Sequence, residues 1–451
     1  MIKKGSLIGL LIFGFFFGAG NLIFPPALGA LSGSHFWPAI FGFILSGVGI
    51  AVLALVVGAL NPKGYGYELE EKISPVFATI FLVALYLAIG PFFAIPRTAT
   101  TSFDVGLAPL LPKTWAGGGL FVFTVFYFIA AYLISLKPSK IMDRIGRLLT
   151  PLFAIMIVSL VIMGIIRYGG SLPQAPAKAY LANPFGMGFL EGYNTLDALA
   201  SVAFSVIIVQ SMRQLGFSTR KEYVSIVCLV GLVVALLFSL LYLGLAYLGN
   251  HFPVPAQVMA SDSNKGVYIL TQATRSLFGP AAQGFLALMV IVTCFTTTVG
   301  LIVSLAGFFN QRFPSLSYRL WASLFSLVGF GIANLGLNRI IAFSIPVLQI
   351  LYPITISFVL ILLLAKLRPL SKRGMQVTIG LVGLVSSLSV LAGLFKIEFL
   401  ENLLGRLPLA QASLPWLLPA LIGLILALFL PDKKLAPDLS EEDFLALGDK
   451  E

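Results

Sequence analysis

Apolar residues fill this chain in long blocks parted by short polar or basic joints. Twelve blocks approach the length of about 20 residues that a helix needs to cross a bilayer. They lie near 6–31, 36–60, 74–101, 117–136, 147–167, 191–212, 223–249, 280–309, 318–335, 338–365, 375–395 and 413–431, and are called spans one to twelve. The pattern predicts an all-α polytopic membrane protein of 12 transmembrane helices. One block conflicts with its own hydrophobicity. Gly18-Ala19-Gly20-Asn21-Leu22-Ile23-Phe24-Pro25-Pro26 falls in the middle of span one. A helix in lipid must keep its backbone hydrogen bonds internal, and broken backbone at that depth is tolerated only against protein or a polar cavity. The sequence therefore predicts a helix that stops near Phe17 and restarts after Pro26. Secondary transporters build substrate and ion sites at such breaks.

Composition sharpens this picture. The chain is 58% hydrophobic and 10% charged, against about 25% charged residues in soluble domains. One membrane domain over residues 1–431 is expected. An acidic cytoplasmic tail, 432–451, follows with Asp438, Glu441, Glu442, Asp443 and Asp449, and its composition predicts disorder. The net charge of +11 would suit nucleic acid if it were clustered, but it is spread over short loops. With the N-terminus inside, 20 of the 29 lysines and arginines fall on the inner side and 9 on the outer. That bias predicts cytoplasmic N- and C-termini, a multi-pass protein and no nucleic-acid partner. Lys3 and Lys4 before an apolar run resemble a signal peptide ending at Gly18-Ala19-Gly20, but the chain continues into more helix. Cys228 and Cys294 both lie in predicted spans, so no disulfide framework is expected. Two outer loops are long, 168–190 and 250–279. The second holds an amphipathic stretch, Gly266 to Phe278, that reads equally as a lid or as a helix lying on the membrane surface.

Four places carry candidate chemistry. At the span-one break, free carbonyls of the first half would suit a cation and free N–H groups of the second half a carboxylate. A plain proline kink is the bland alternative. In span eight, Thr293, Thr296 and Thr297 share a face and would offer hydroxyl oxygens to a hard cation, although such residues are more often packing glue. In span six, Asp197 is a carboxylate at depth: a proton carrier, a gate partner or a structural acceptor. The small and polar run Ser201 to Ser205 after it is a candidate second break. In span three, Arg97 follows Gly90-Pro91 and Pro96, placed either to close an outer gate or to snorkel to the interface. His35 and His251 show no metal-ligand spacing. No phosphate-binding loop, nucleophile elbow or zinc-protease motif occurs, so neither ATP-driven transport nor an enzyme is expected.

Together these residues resemble a known family, the branched-chain amino acid:cation symporters of bacteria. The resemblance runs the whole length: the span-one segment, Gly90-Pro91 with Ala94-Ile95-Pro96-Arg97-Thr98, Asp197-Ala198-Leu199 and Asn334-Leu335-Gly336-Leu337. It continues in Pro346-Val347-Leu348 with Leu351-Tyr352-Pro353, and in Arg406-Leu407-Pro408-Leu409-Ala410 with Trp416-Leu417-Leu418-Pro419. It implies a LeuT-like fold, a 5+5 inverted repeat with two extra C-terminal helices and with spans one and six broken. It further implies that Gly14 and Phe17 give carbonyls to Na⁺ beside Thr293, Thr296 and Thr297. Ala19, Gly20 and Asn21, with Ser201, Phe204 and Ser205, would hold the amino acid's backbone groups. Ser205 departs from the glycine expected after the phenylalanine of span six.

The resulting expectation is an importer of leucine, isoleucine and valine in the bacterial plasma membrane. Its coupling ion is Na⁺, it needs no other cofactor, and the lipid bilayer is its surroundings, with no obligatory protein partner. Coupling to H⁺, or a broader neutral amino acid range, is the near alternative. An intramembrane enzyme or structural protein is the distant one, for which Asp197 is the main support.

Overall fold

The computed structural model describes residues 2–61, 63–112, 118–137, 140–215, 219–430 and 434–435. It is almost wholly helical. Span one is two helices, α1 (Ile2–Phe16) and α2 (Ala19–Ser32). Span two is α3 (Phe36–Ile44) and α4 (Ile50–Ala59), joined by a wide π-helical turn, Leu45–Gly49. A short α5 (Gly64–Lys72) leads to span three. That span comprises α6 (Pro75–Leu87), a second wide turn over Ala88–Phe92 where Gly90 leaves helical geometry ahead of Pro91, and α7 (Ala94–Thr101). Then come α8 (Gly119–Leu136), α9 (Lys140–Tyr168), α10 (Lys178–Ala182), α11 (Pro184–Tyr193), α12 (Asp197–Leu215) and α13 (Arg220–His251). The last third holds α14 (Ala256–Ala260), α15 (Lys265–Arg312), α16 (Tyr318–Ala333), α17 (Leu337–Leu367), α18 (Lys372–Phe395), α19 (Glu398–Gly405) and α20 (Leu417–Phe429). Leu370–Ser371 and Lys434–Leu435 pair as a two-residue antiparallel ladder. Apart from that pair, the acidic tail lies outside the described residues.

By length and composition, seven helical stretches among the described residues can cross a membrane, or eight if Pro184–Tyr193 and Asp197–Val209, bent by 40°, form one span. Shorter apolar helices cover Gly5–Gly14, Leu152–Tyr168, Tyr318–Ala333 and Leu417–Phe429. The core is one continuous cluster of aliphatic and aromatic side chains, with Phe17, Phe43, Tyr242, Phe325, Tyr352 and Phe358 fully enclosed.

Three expectations need correction. Span one breaks at Phe17 and Gly18 alone, and helix resumes at Ala19, so Pro25 and Pro26 lie inside α2. Each proline removes a donor, leaving the carbonyls of Asn21 and Leu22 without their helical partners, yet α2 runs unbroken through both and packs closely on α13. A Cβ at Gly249 would stand 2.1 Å from the carbonyl oxygen of Pro26, and one at Gly29 1.9 Å from that of Ala246. Asn250 Nδ2 adds hydrogen bonds to the carbonyls of Gly29 (2.8 Å) and Gly33 (2.9 Å).

Span six starts at Pro184 rather than 191, inside what reads as a glycine-rich loop. Asn183 caps α11 by accepting from Gly186 N (2.9 Å), with Pro184 in the first turn. Its glycines serve close approach to span two: a Cβ at Gly188 would lie 1.9 Å from the carbonyl oxygen of Ala39. Small residues that bring membrane helices backbone to backbone explain both pairs.

The third correction concerns the outer loop. Lys265 to Phe278 is helical, as expected, and joins span eight at Gly279 (φ +81°), just before Pro280. It is packed into the protein instead of standing clear as a loop. Ile269, Leu270 and Ala273 are enclosed, and a Cβ at Gly266 would meet the carbonyl oxygen of Ile23 at 1.8 Å. The helix is wedged against α2.

Candidate functional site

The first turn of α2 meets the first turn of α12 in the middle of the molecule. Asn21 comes from the span-one break and Asp197 from span six, and both are buried. Asn21 Nδ2 donates to both carboxylate oxygens of Asp197, at 3.0 and 2.9 Å. Tyr242, on α13, donates its hydroxyl to Asp197 Oδ2 at 2.6 Å and lies 2.5 Å from Asn21 Nδ2. A buried carboxylate must be compensated. Here three hydrogen bonds from two donors, Asn21 and Tyr242, do so, and they tie spans one, six and seven at one point. In this structure Asp197 is the acceptor that links the two breaks.

Span six does not break at Ser201–Ser205. It breaks at Asn194-Thr195-Leu196, where Leu196 takes φ +66°. Ser201 and Ser205 sit inside α12 and donate to their own backbone, Ser201 Oγ to Asp197 O (2.8 Å) and Ser205 Oγ to Val202 O (2.9 Å). Ser205 faces span two: a Cβ at Gly58 would meet its Cβ at 2.8 Å. Phe204 packs edge-on to Phe16 of α1, with ring centroids 5.2 Å apart. Ser201, Asp197 and Phe16 help line a small cavity of about 10 Å³, roughly what one water needs, whose other walls include Val48, Leu55 and Phe238.

Arg97 is only 4% exposed, so it does not snorkel. Its Nη1 donates to the carbonyl of Asn194 (2.5 Å) and its Nη2 to that of Thr195 (3.4 Å). It thereby supplies donors that the end of α11 lacks. The same guanidinium stacks over Phe24, 5.3 Å from the ring centre, and its Nη2 would stand 2.9 Å from a Cβ at Gly20. Arg97 thus touches both breaks, and Ala19, Gly20 and Asn21 form the turn beneath it.

The residues assigned to the cation are arranged more loosely. Gly18 N donates to Asn21 Oδ1 (3.3 Å), so the carbonyl of Gly14 loses the donor that a continuing helix would give it. Phe17 N still reaches Phe13 O (3.0 Å), and the ring of Phe17 packs on Phe153. On span eight, Thr296 and Thr297 both donate to the carbonyl of Thr293, at 2.8 and 3.1 Å, which leaves their oxygen lone pairs as acceptors. The run comes against the break at Thr297, whose Cγ2 lies 3.9 Å from a Cβ position at Gly18. The next hydroxyl, Thr298, was not singled out from the sequence. It is fully buried and joins Thr98 (2.6 Å) and Tyr127 (2.8 Å), linking spans three, four and eight.

Sequence reasoning also missed Tyr242, Asn194 and Thr195. Tyr242 is a polar tip in an otherwise leucine-rich span, which is itself a sign. Asn-Thr-Leu-Asp at 194–197 is a cluster of helix-capping residues within an apolar block, the pattern of a helix start.

Comparison with known proteins gives the family and the fold. The family model for branched-chain amino acid transport proteins matches residues 1–434. A protein of Staphylococcus saprophyticus described as a branched-chain amino acid carrier is 40% identical over 446 residues, 96% of this chain and 98% of its own. One from Staphylococcus aureus strain USA300 is 42% identical over 435 residues, covering 94% and 96%. Among solved structures, inward-facing Mhp1 is similar with TM-score 0.58 at 13% identity, over 98% of this chain and 94% of that one. MhsT, solved with L-phenylalanine, is similar with TM-score 0.56 at 14% identity, over 94% and 98%. The fold is that of these transporters, and the relatives are carriers rather than enzymes. With a family model spanning the membrane domain and relatives matching over nearly their whole length, the chain belongs to the branched-chain amino acid transport protein family.

Proposed function

We propose that this protein imports leucine, isoleucine and valine across the bacterial plasma membrane in symport with Na⁺. The supporting observation is the meeting of two broken membrane helices, Ala19 to Asn21 against Asn194 to Asp197, in a member of a branched-chain amino acid transport family. On this reading twelve spans form a 5+5 inverted repeat with two added helices, and both termini face the cytoplasm. The repeat relation finds support in the packing. The outer half of span one, α2, is pressed on span seven, and the first half of span six, α11, is pressed on span two. Spans one and six, and spans two and seven, are the pairs that such a repeat equates.

The substrate's backbone groups would be held at Ala19, Gly20 and Asn21, with Ser201, Phe204 and Ser205 across the site. Na⁺ would take carbonyls of Gly14 and Phe17 and hydroxyls of Thr293, Thr296 and Thr297. Na⁺ is favoured over H⁺ because the side chain of Asp197 is already engaged by Asn21 and Tyr242 and joins two helices, a role that needs no proton to come and go. Ion and substrate stabilise the same closed arrangement, so each raises the affinity for the other.

The test is leucine uptake into proteoliposomes under Na⁺ and H⁺ gradients imposed separately. Accumulation driven by Na⁺ alone is expected. Valine and isoleucine compete within the modest range that one methylene allows, about 10–200-fold, whereas lysine and glutamate do not compete. Accumulation under the H⁺ gradient alone, or strong inhibition by lysine, overturns the reading.

A further inference from the structure

Arg97 is an expensive residue to enclose. A guanidinium at membrane depth needs compensation, and among the described residues no carboxylate forms an ion pair with it at hydrogen-bonding distance. Asp197, the nearest acid, is committed to Asn21 and Tyr242. Two of the five N–H donors of Arg97 serve the carbonyls of Asn194 and Thr195. Its Nε is buried and has no hydrogen-bond partner.

The guanidinium lies over a helix start. Nη2 rests against Gly20, in the first turn of the 14-residue α2. That turn has N–H groups without intrahelical acceptors and carries the positive end of the helix dipole. A fixed guanidinium with Nε unpaired and a helix N-terminus therefore converge at one buried point. Each of these favours an anion, and their combination matches the fork geometry of a carboxylate. Anchoring through Asn194 and Thr195 holds the guanidinium in place beforehand, so little side-chain freedom is lost on binding.

We infer that Arg97 binds the substrate's α-carboxylate, together with the first turn of α2. The inference rests on the amino acid importer proposed above and assigns the group that makes it demand a free carboxylate. It differs from a gate or a helix cap. A residue that only caps α11 would affect all ligands alike, whereas a carboxylate receptor discriminates among them.

The experiment measures displacement of radiolabelled leucine from purified protein at saturating Na⁺, using unlabelled leucine and leucinamide. Leucinamide keeps the ammonium and the side chain but lacks the carboxylate charge. In the unmodified protein leucinamide should bind at least about tenfold more weakly than leucine, the scale of a charge-assisted hydrogen bond. In Arg97→Gln that ratio should collapse towards one, chiefly through loss of leucine affinity. Arg97→Lys keeps a charge without the fork and should fall between the two. It carries the test by itself if the glutamine variant does not fold, as judged by size-exclusion chromatography. A leucine-to-leucinamide ratio that stays unchanged in a folded variant overturns the inference and leaves the importer standing. Failure of the unmodified protein to bind leucine at saturating Na⁺ and H⁺ alike overturns both.

Discussion

The two breaks do the same thing to a helix by different means. In span one the interruption is two residues long and sits among glycines. In span six it is three residues, Asn194-Thr195-Leu196, with no glycine or proline among them. The obvious reading is that glycine permits the first break. Gly18, however, has φ −122° and ψ −169°, an extended conformation open to any residue, and a Cβ there would find nothing nearer than 3.7 Å. The left-handed conformation, which favours glycine, occurs instead at Leu196. Gly20 is the glycine that span one needs, and the reason is the guanidinium of Arg97 lying on it. A break in a membrane helix is thus defined by what receives the freed backbone groups. Arg97 receives carbonyls in span six, and the Asn21 side chain accepts the N–H of Gly18 in span one.

Cutting the link between the breaks should have the largest effect. Asp197→Ala leaves Asn21 and Tyr242 buried without their acceptor, at about 1–3 kcal/mol each. Leucine uptake should vanish and the thermal unfolding temperature should fall. Asp197→Asn preserves shape and one acceptor oxygen. It should keep gradient-driven accumulation at a reduced rate, measured as the steady-state ratio of inside to outside leucine. Normal exchange with abolished accumulation in that variant would show that Asp197 carries a proton.

Next in size, Gly20→Ala places a methyl 2.9 Å from Arg97 Nη2. Displacing a positioned group in this way should lower uptake about tenfold or more, while Gly18→Ala stays within about threefold, given open space and an ordinary backbone. Equal damage from the two would return the weight to backbone freedom. Thr297→Ala is expected to raise the Na⁺ concentration for half-maximal uptake several-fold, with leucine affinity at saturating Na⁺ little changed. An unmoved Na⁺ requirement in a working mutant would displace the proposed cage. The smallest change should come from Leu196→Gly. Relief of left-handed strain, about 1–2 kcal/mol, is offset by the entropy glycine loses and by lost burial, so thermal unfolding should shift by only a few degrees.

Much of this architecture was legible because lipid forces a chain to announce itself. Long apolar blocks gave the helices, and Gly18 to Pro26 marked a break because such residues have no other business in a span. Asp197 stood out as a charge in an apolar run. What could not be read were features made by tertiary contact. Gly188 has the composition of a loop until α3 is packed against it, when it becomes part of a helix face. The positive φ of Leu196 has no signature in its side chain; it follows two residues, Asn194 and Thr195, whose carbonyls are held by the distant Arg97. Pro25 and Pro26 misled in the other direction, because α13 holds α2 helical through them. The threonine run showed a face by spacing alone, and spacing could not say that Thr298 reaches Thr98 and Tyr127.

The glycine contacts at Gly29, Gly249 and Gly188 carry a mechanical consequence. Where main chain lies on main chain, the contact has one register. Sliding either helix by a residue would drive a side chain into the opposing carbonyl, but pivoting about the contact moves nothing into it. Such joints act as axles that cannot slip. Each couples half of a broken helix to an unbroken neighbour, α2 to α13, or to one half of a bent span, α11 to α3, so a half-helix can change its angle to that neighbour without sliding along it.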